Sequence, residues 1–173
     1  MILRDIDHKF TCLIHDQARK WKWLDTVMIF LARDLLWALA LVPFIALLFL
    51  DVQIAFVLVG AGVGSLFLTF TIQALYDRDR PFQDEHVRPL FKLRIPTRSF
   101  PSGHAALSWA IALSAGRILS LLGFEVAAVL CLTAAALITY ARAYAGLHYV
   151  SDLVIGVLIG FLSAELFLTT IAL

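Results

Sequence analysis

Between Leu35 and Leu173 the chain is a succession of apolar runs of bilayer length, broken by one long polar segment, Asp77–Pro101. Hydrocarbon offers no partner for a backbone N–H or C=O, so a run that enters it must satisfy those groups internally, as a helix does. About 20 apolar residues make one crossing. Five runs qualify: 35–50, 52–76, 102–122, 125–143 and 149–173. The first is short unless 26–34 extends it. With 61% hydrophobic residues the chain is too apolar for a soluble domain of its size, and no stretch is left over to form one. The expectation is an all-α, polytopic membrane helix bundle over 35–173, preceded by an interfacial segment at 3–33, the whole of 1–173 being one domain. No long apolar stretch opens the chain, so no cleavable signal peptide is expected and the first span would drive insertion.

In the N-terminal segment Ile6, Phe10, Leu13 and Ile14 follow helical spacing, with Asp5, Asp7, Lys9 and Asp16 between them. Leu24, Val27, Met28 and Leu31 repeat the pattern, and Trp21 and Trp23 alternate with Lys20 and Lys22. Tryptophan beside lysine suits the headgroup layer, so 3–33 reads as amphipathic helix lying in the interface. A helix that simply covers the bundle would show the same spacing. Gly60-x3-Gly64 and Gly156-x3-Gly160 lie within spans and read as close helix packing, not as a nucleotide loop. Cys12 and Cys131 form no ligand pattern and read as packed thiols.

Intramembrane ionisable groups are costly and mark function, and here they cluster at the ends of spans. The second span ends near Arg78 and Arg80, and the third begins at Ser102-Gly103-His104. The fourth ends near Arg142, and the fifth begins near His148 and Asp152. Five crossings bring all four sites to one membrane face. Pro101-Ser102 is a helix-entry signal, and the free N–H groups of a helix start favour an anion, which Gly103 lets approach closely. His148 and Asp152 are four apart and share a helix face. The carboxylate can therefore hold one ring nitrogen and leave the other as base or nucleophile. Arg142 brings a guanidinium whose fork matches phosphate oxygens. Two histidines and an acid also describe a metal site, but the surrounding arginines would repel a divalent cation. Arg78 and Arg80 would alternatively snorkel to headgroups. Taken together the groups describe a tetrahedral oxyanion site suited to phosphoryl transfer.

The motifs resemble those of the type 2 phosphatidic acid phosphatases, membrane relatives of vanadium haloperoxidases. The family pattern is Lys-x6-Arg-Pro, then Pro-Ser-Gly-His, then Ser-Arg-x5-His-x3-Asp. This chain carries Gln73-x6-Arg80-Pro81, Pro101-Ser102-Gly103-His104 and Ala141-Arg142-x5-His148-x3-Asp152. The resemblance implies that His148 is a nucleophile forming a phosphohistidine and that Asp152 orients it. It implies that His104 protonates the leaving group and then activates water. Arg80, Arg142, Ser102 and the Gly103 amide would cradle the phosphate, and no metal or other cofactor would be needed. Gln73 stands where the family has lysine, so it can donate a hydrogen bond but brings no charge. Arg78 is expected to compensate, as many members carry a second arginine at that place. Ala141 stands where the family has serine and removes one phosphate hydrogen bond.

A site at the interface lets a lipid headgroup reach it while the chains stay in the bilayer, and Arg88–Arg98 adds cationic residues for an anionic headgroup. The partners implied are a lipid phosphate substrate and membrane lipids, with no nucleic acid and no obligate protein partner. The compact chain resembles small bacterial members, including lipid A 1-phosphatases, which makes lipid A 1-phosphate the expected substrate. Undecaprenyl diphosphate and phosphatidylglycerophosphate are alternatives, as are a lipid phosphotransferase and a catalytically silent lipid-binding protein. All of the 14 Lys and Arg except Arg117 lie on the expected active face, which by the positive-inside rule would be cytoplasmic. The resemblance implies instead a bacterial inner (plasma) membrane protein, and its active site is expected to face the periplasm. Glu165 lies 13 residues beyond Asp152, about 20 Å along a helix, too far for catalysis. It is expected to be a hydrogen-bonded packing residue.

Overall fold

The computed structural model describes residues 2–83, 87–93 and 98–170, with side chains from Asp5 onward. Arg94 of the cationic loop lies outside the described residues. Among those described, seven α-helices follow in order: α1 (Ile2–His15), α2 (Lys22–Arg33), α3 (Leu35–Leu50), α4 (Val52–Leu75), α5 (Gly103–Leu121), α6 (Glu125–Tyr144) and α7 (Val150–Leu168). A 3-10 turn, Pro81–Gln83, follows α4 among the described residues of the segment between α4 and α5. The all-helical bundle follows the apolar runs to within a few residues, and the chain is a multi-pass membrane protein.

Four helices, α4 to α7, are long and apolar enough to cross a bilayer. The first expected span is different. The 16 residues of α3 reach only about 24 Å, short of a hydrocarbon core of about 30 Å. The preceding residues do not lengthen it in a straight line, because α2 and α3 meet at an angle of 47°. The bend falls at Arg33-Asp34, where Arg33 Nε donates to Asp34 Oδ1 at 2.9 Å. The charged pair stands at this break, and α2 with α3 makes one bent pair.

The central helix is α5, which packs against α3, α4, α6 and α7. Its alanines 105, 106, 110, 112 and 115 are fully buried, and their small side chains let neighbouring backbones approach. The approach is closest to α7. A Cβ on Gly156 would lie 2.6 Å from the Ser102 carbonyl oxygen, and one on Gly160 would lie 2.6 Å from that of Ala106. Gly60 and Gly64 meet α7 differently: the Phe167 ring lies over both. Cys131 is buried in the core that α5 shares with α3, α4 and α6. Cys12 is half-buried beside His8.

The N-terminal helices both dock and expose. On α1, Thr11 and His15 are buried, and His15 Nδ1 bonds to the Tyr144 carbonyl at 2.8 Å. Ile6, Phe10 and Leu13, at helical spacing on the same helix, are exposed, as are Trp21, Trp23, Val27 and Phe30. So α1 packs against α6 and α7 on one side and leaves an apolar stripe on the other.

Candidate active site

The site is assembled where four helix ends meet. At the start of α5, Ser102 caps the helix: its hydroxyl accepts from the Ala105 N–H at 3.4 Å, the kind of cap worth about 1 kcal/mol. The Ser102 N–H donates to the Asp152 carbonyl at 3.0 Å, which ties the start of α5 to the first turn of α7. Gly103 begins α5 one residue later, and His104 sits in its first turn within electrostatic reach of Arg142, His148 and Arg80. Between α6 and α7 the chain reverses through Gly146, whose φ of +70° is a left-handed conformation open to glycine at little cost. That turn delivers His148, which is buried.

The surroundings of the His148 ring determine its tautomer. Nδ1 lies 2.9 Å from the Ser99 carbonyl oxygen, an acceptor only, so Nδ1 carries the proton and Nε2 the lone pair. Two guanidiniums converge on that lone pair. Arg80 Nη1 is 3.2 Å from Nε2 and also donates to the Leu147 carbonyl at 2.9 Å. Arg142 Nη2 is 3.4 Å from Nε2, while its Nη1 donates to the Ala32 carbonyl at the end of α2 at 3.1 Å. Burial, with the charges of Arg142 and Arg80 adding to it, pushes His148 down to about 4, against the raising contact of Asp152. The ring is therefore neutral near pH 7. Burial also lowers Arg80 to about 10, with Asp152 opposing, so Arg80 remains cationic there.

Asp152 is fully buried and holds His148 less directly than its spacing suggests. Its Oδ2 is 3.6 Å from Nδ1, longer than a hydrogen bond. The same oxygen accepts from Ser99 Oγ at 2.5 Å and from the Tyr149 N–H at 2.9 Å. Asp152 thus grips Ser99, and the Ser99 carbonyl grips the ring. Ser99 is a site residue that spacing alone does not reveal.

Two expected phosphate ligands, Arg78 and Gln73, have protein partners, as does Arg98 of the cationic loop. Arg78 donates through Nη1 to Asp152 Oδ1 at 2.6 Å and through Nη2 to Asp7 Oδ2 at 2.6 Å, and it lies over the Tyr149 ring at 4.3 Å. Gln73 Nε2 donates to the Pro101 carbonyl at 2.9 Å, so its amide steadies the entry to α5. Arg98, from the cationic loop, donates to the carbonyls of Gln73 and Ala74 at 2.5 and 2.8 Å. There a cation meets the negative end of α4. Arg88 and Lys92 are exposed. Ala141 is buried. Glu165 is half-buried and makes no side-chain hydrogen bond among the described residues.

A multi-pass helical bundle that gathers two buried arginines, a neutral histidine and a helix N-terminus at one end has the equipment of a membrane phosphatase. Residues 32–172 match the PAP2 superfamily, and the chain belongs to that family: it is a membrane lipid phosphatase, a hydrolase. It is similar to the crystal structure of Aquifex aeolicus LpxE, with a TM-score of 0.73 and 27% identity over 93% of each chain. The PAP2-type phosphatidylglycerolphosphate phosphatase of Bacillus subtilis shares the fold, with a TM-score of 0.79 and 19% identity over 98% of this chain and 86% of that one. In sequence it is 28% identical to the putative undecaprenyl-diphosphatase YbjG of Escherichia coli (strain K12), over 95% of this chain and 84% of that protein.

Proposed function

We propose that the chain removes phosphate from an anionic lipid through a phosphohistidine on His148, without a metal ion. The observation that carries this is the convergence of Arg80 and Arg142 on Nε2 of His148. A lone pair directed between two guanidiniums suits attack on a phosphorus whose oxygens those guanidiniums hold. Arg142 Nε is buried and has no hydrogen-bond partner among the described residues, and a phosphate oxygen is the acceptor that a guanidinium edge matches. Nε2 bonds to phosphorus as the P–O bond to the lipid breaks. His104 protonates the leaving oxygen, then takes a proton from the water that releases phosphate from His148. Ser102 and the Gly103 amide add the start of α5 as an anion seat. The arginines supply the positive charge that a divalent cation would otherwise bring.

A lipid is favoured over a soluble phosphate by an open apolar groove between α3, α4 and α5, lined by residues including Leu41, Phe44, Val59, Val63, Leu66 and Leu107. Leu66 lies beside Gly103, so the groove runs up to the phosphate end of α5. Lipid A 1-phosphate is the substrate we favour, supported by the compactness shared with LpxE. Undecaprenyl diphosphate is the second reading, favoured by the similarity to YbjG. Purified protein in EDTA, supplied with lipid A 1-phosphate, undecaprenyl diphosphate, phosphatidylglycerophosphate and p-nitrophenyl phosphate, is expected to release phosphate from the lipids at least tenfold more efficiently than from the soluble ester. A requirement for divalent metal would refute the mechanism. The lipid with the highest kcat/KM identifies the substrate, and any lipid other than lipid A would overturn our preference.

The apolar stripe of α1 and α2 supports an interfacial position for 3–33, against the bundle of 35–173. The described residues of the polar loop 77–101 then lie at the same surface, and 1–173 is read as one phosphatase domain. We place that surface in the periplasm of a bacterial inner membrane. A phosphatase reporter fused after Leu173, downstream of α7, is expected to be inactive and a cytoplasmic reporter active. The reverse pattern would put the site on the cytoplasmic side.

A further inference from the structure

The geometry points to Asp7, on the N-terminal amphipathic helix, as a positioning residue for the nucleophile, acting through Arg78 on Asp152. The inference rests on reading His148 as the nucleophile. Asp7 has no place in the family motifs and lies 145 residues before Asp152 in the chain, yet its carboxylate is committed entirely to the site. Oδ2 accepts from Arg78 Nη2 at 2.6 Å and from Ser151 Oγ at 2.5 Å, and Oδ1 accepts from the Ser151 N–H at 2.9 Å. Arg78 Nη1 in turn donates to Ser151 Oγ at 2.7 Å and to Asp152 Oδ1 at 2.6 Å. One guanidinium is therefore clamped between two carboxylates, and the side chains are 11% exposed at Asp7, 19% at Arg78 and 0% at Asp152.

The division of labour on Asp152 shows what the clamp does. Oδ1 belongs to Arg78, while Oδ2 belongs to Ser99, the Tyr149 N–H and the side of the ring that bears the Nδ1 proton. Fixing Oδ1 fixes the rotation of the carboxylate, and with it Ser99, whose carbonyl sets the His148 ring. A planar guanidinium holds that rotation more firmly when its other edge is anchored too, as Arg78 is by Asp7 above the Tyr149 ring. Asp7 is the anchor, and it also restrains Arg78 from swinging toward a bound phosphate. The arginine expected from sequence to bind substrate is held away from that task, and the N-terminal helix becomes part of the catalytic apparatus.

Asp7→Asn keeps the shape and removes the charge. Because misplacement of a reacting group by about 1 Å costs on the order of 10²-fold, kcat for lipid phosphate release is expected to fall about 10- to 100-fold, with KM within twofold of wild type. Asp7→Glu should recover part of kcat. Thr11→Val is the control for helix docking: Thr11 accepts from the Val150 N–H at 3.2 Å from the same helix but does not touch Arg78 in any described contact. It should lower the melting temperature in detergent while leaving kcat within about threefold. An unchanged kcat in Asp7→Asn, a change confined to KM, or equal losses in Asp7→Asn and Thr11→Val would each overturn the inference. If His148→Ala retained activity, the underlying reading would fail instead, which keeps the two failures apart.

Discussion

His148→Ala is expected to abolish phosphate release from every lipid tested, a loss on the order of 10⁵-fold or more, as for removal of a nucleophile from a coupled site. The ring presents a lone pair at the point where Arg80 and Arg142 converge, and alanine leaves nothing there to form the proposed phosphohistidine. Melting temperature in detergent separates lost chemistry from lost fold. Retained activity in a folded variant would end the phosphohistidine mechanism. The wild-type residue also sets an acid limit. Its folded value of about 4 lies below the usual histidine value of about 6.5, so the imidazole stays neutral until the pH falls through about 4. Below that value kcat/KM should drop about tenfold per pH unit, after correction for the substrate's own ionisation near pH 6. A limb at 6.5 would mean that the nucleophile is not desolvated.

The second large effect is expected from Arg142→Lys, with kcat/KM reduced about 10²- to 10³-fold, the range for losing one preorganised donor to a developing charge. The charge survives this change, but the fork does not. Arg142 reaches the Ala32 carbonyl with one nitrogen and faces His148 with another, while Nε has no described partner. A lysine ammonium is a point charge on a flexible stem and cannot serve three directions at once. Weaker product inhibition by inorganic phosphate should accompany the loss. A decrease under tenfold, with inhibition unchanged, would show that Arg142 holds α2 and not phosphate.

The residues that sequence reasoning found share one property: their chemistry is costly beside lipid, and each sits at the end of an apolar run. Arg80, Ser102, His104, Arg142, His148 and Asp152 stand out on that ground, and the counted spans bring them to one face, as the helices do. Ser99 does not stand out, because its backbone carbonyl holds the ring and any residue has a carbonyl. Asp7 looked like the wet side of an amphipathic helix, since helical spacing tells which residues share a face but not what that face meets. Arg78 and Arg98 were legible as cations near a phosphate site but not as cations with prior partners. Gln73 reads as a weakened phosphate ligand in the motif, and the motif does not reveal that its Nε2 donates to the Pro101 carbonyl. The sequence marks the break before α3 only by a charged pair between apolar runs, and the angle between α2 and α3 is not legible in it.

The contact of Gly156 and Gly160 with the carbonyls of Ser102 and Ala106 bears on how such an enzyme can diversify. It fuses the helix that carries His104 to the helix that carries Asp152, backbone against backbone, with no side chain between them to resize. The spacing of the reacting groups is thus locked by main chain, and drift in side chains cannot tune it gradually. Under the proposed lipid groove, variation that suits a new lipid falls to the face where α3 and α4 meet α5 through large apolar side chains. On the proposed function, the main-chain contact of α5 with α7 then holds the chemistry fixed, while the groove side chains of α3 and α4 are where a change of lipid is accommodated.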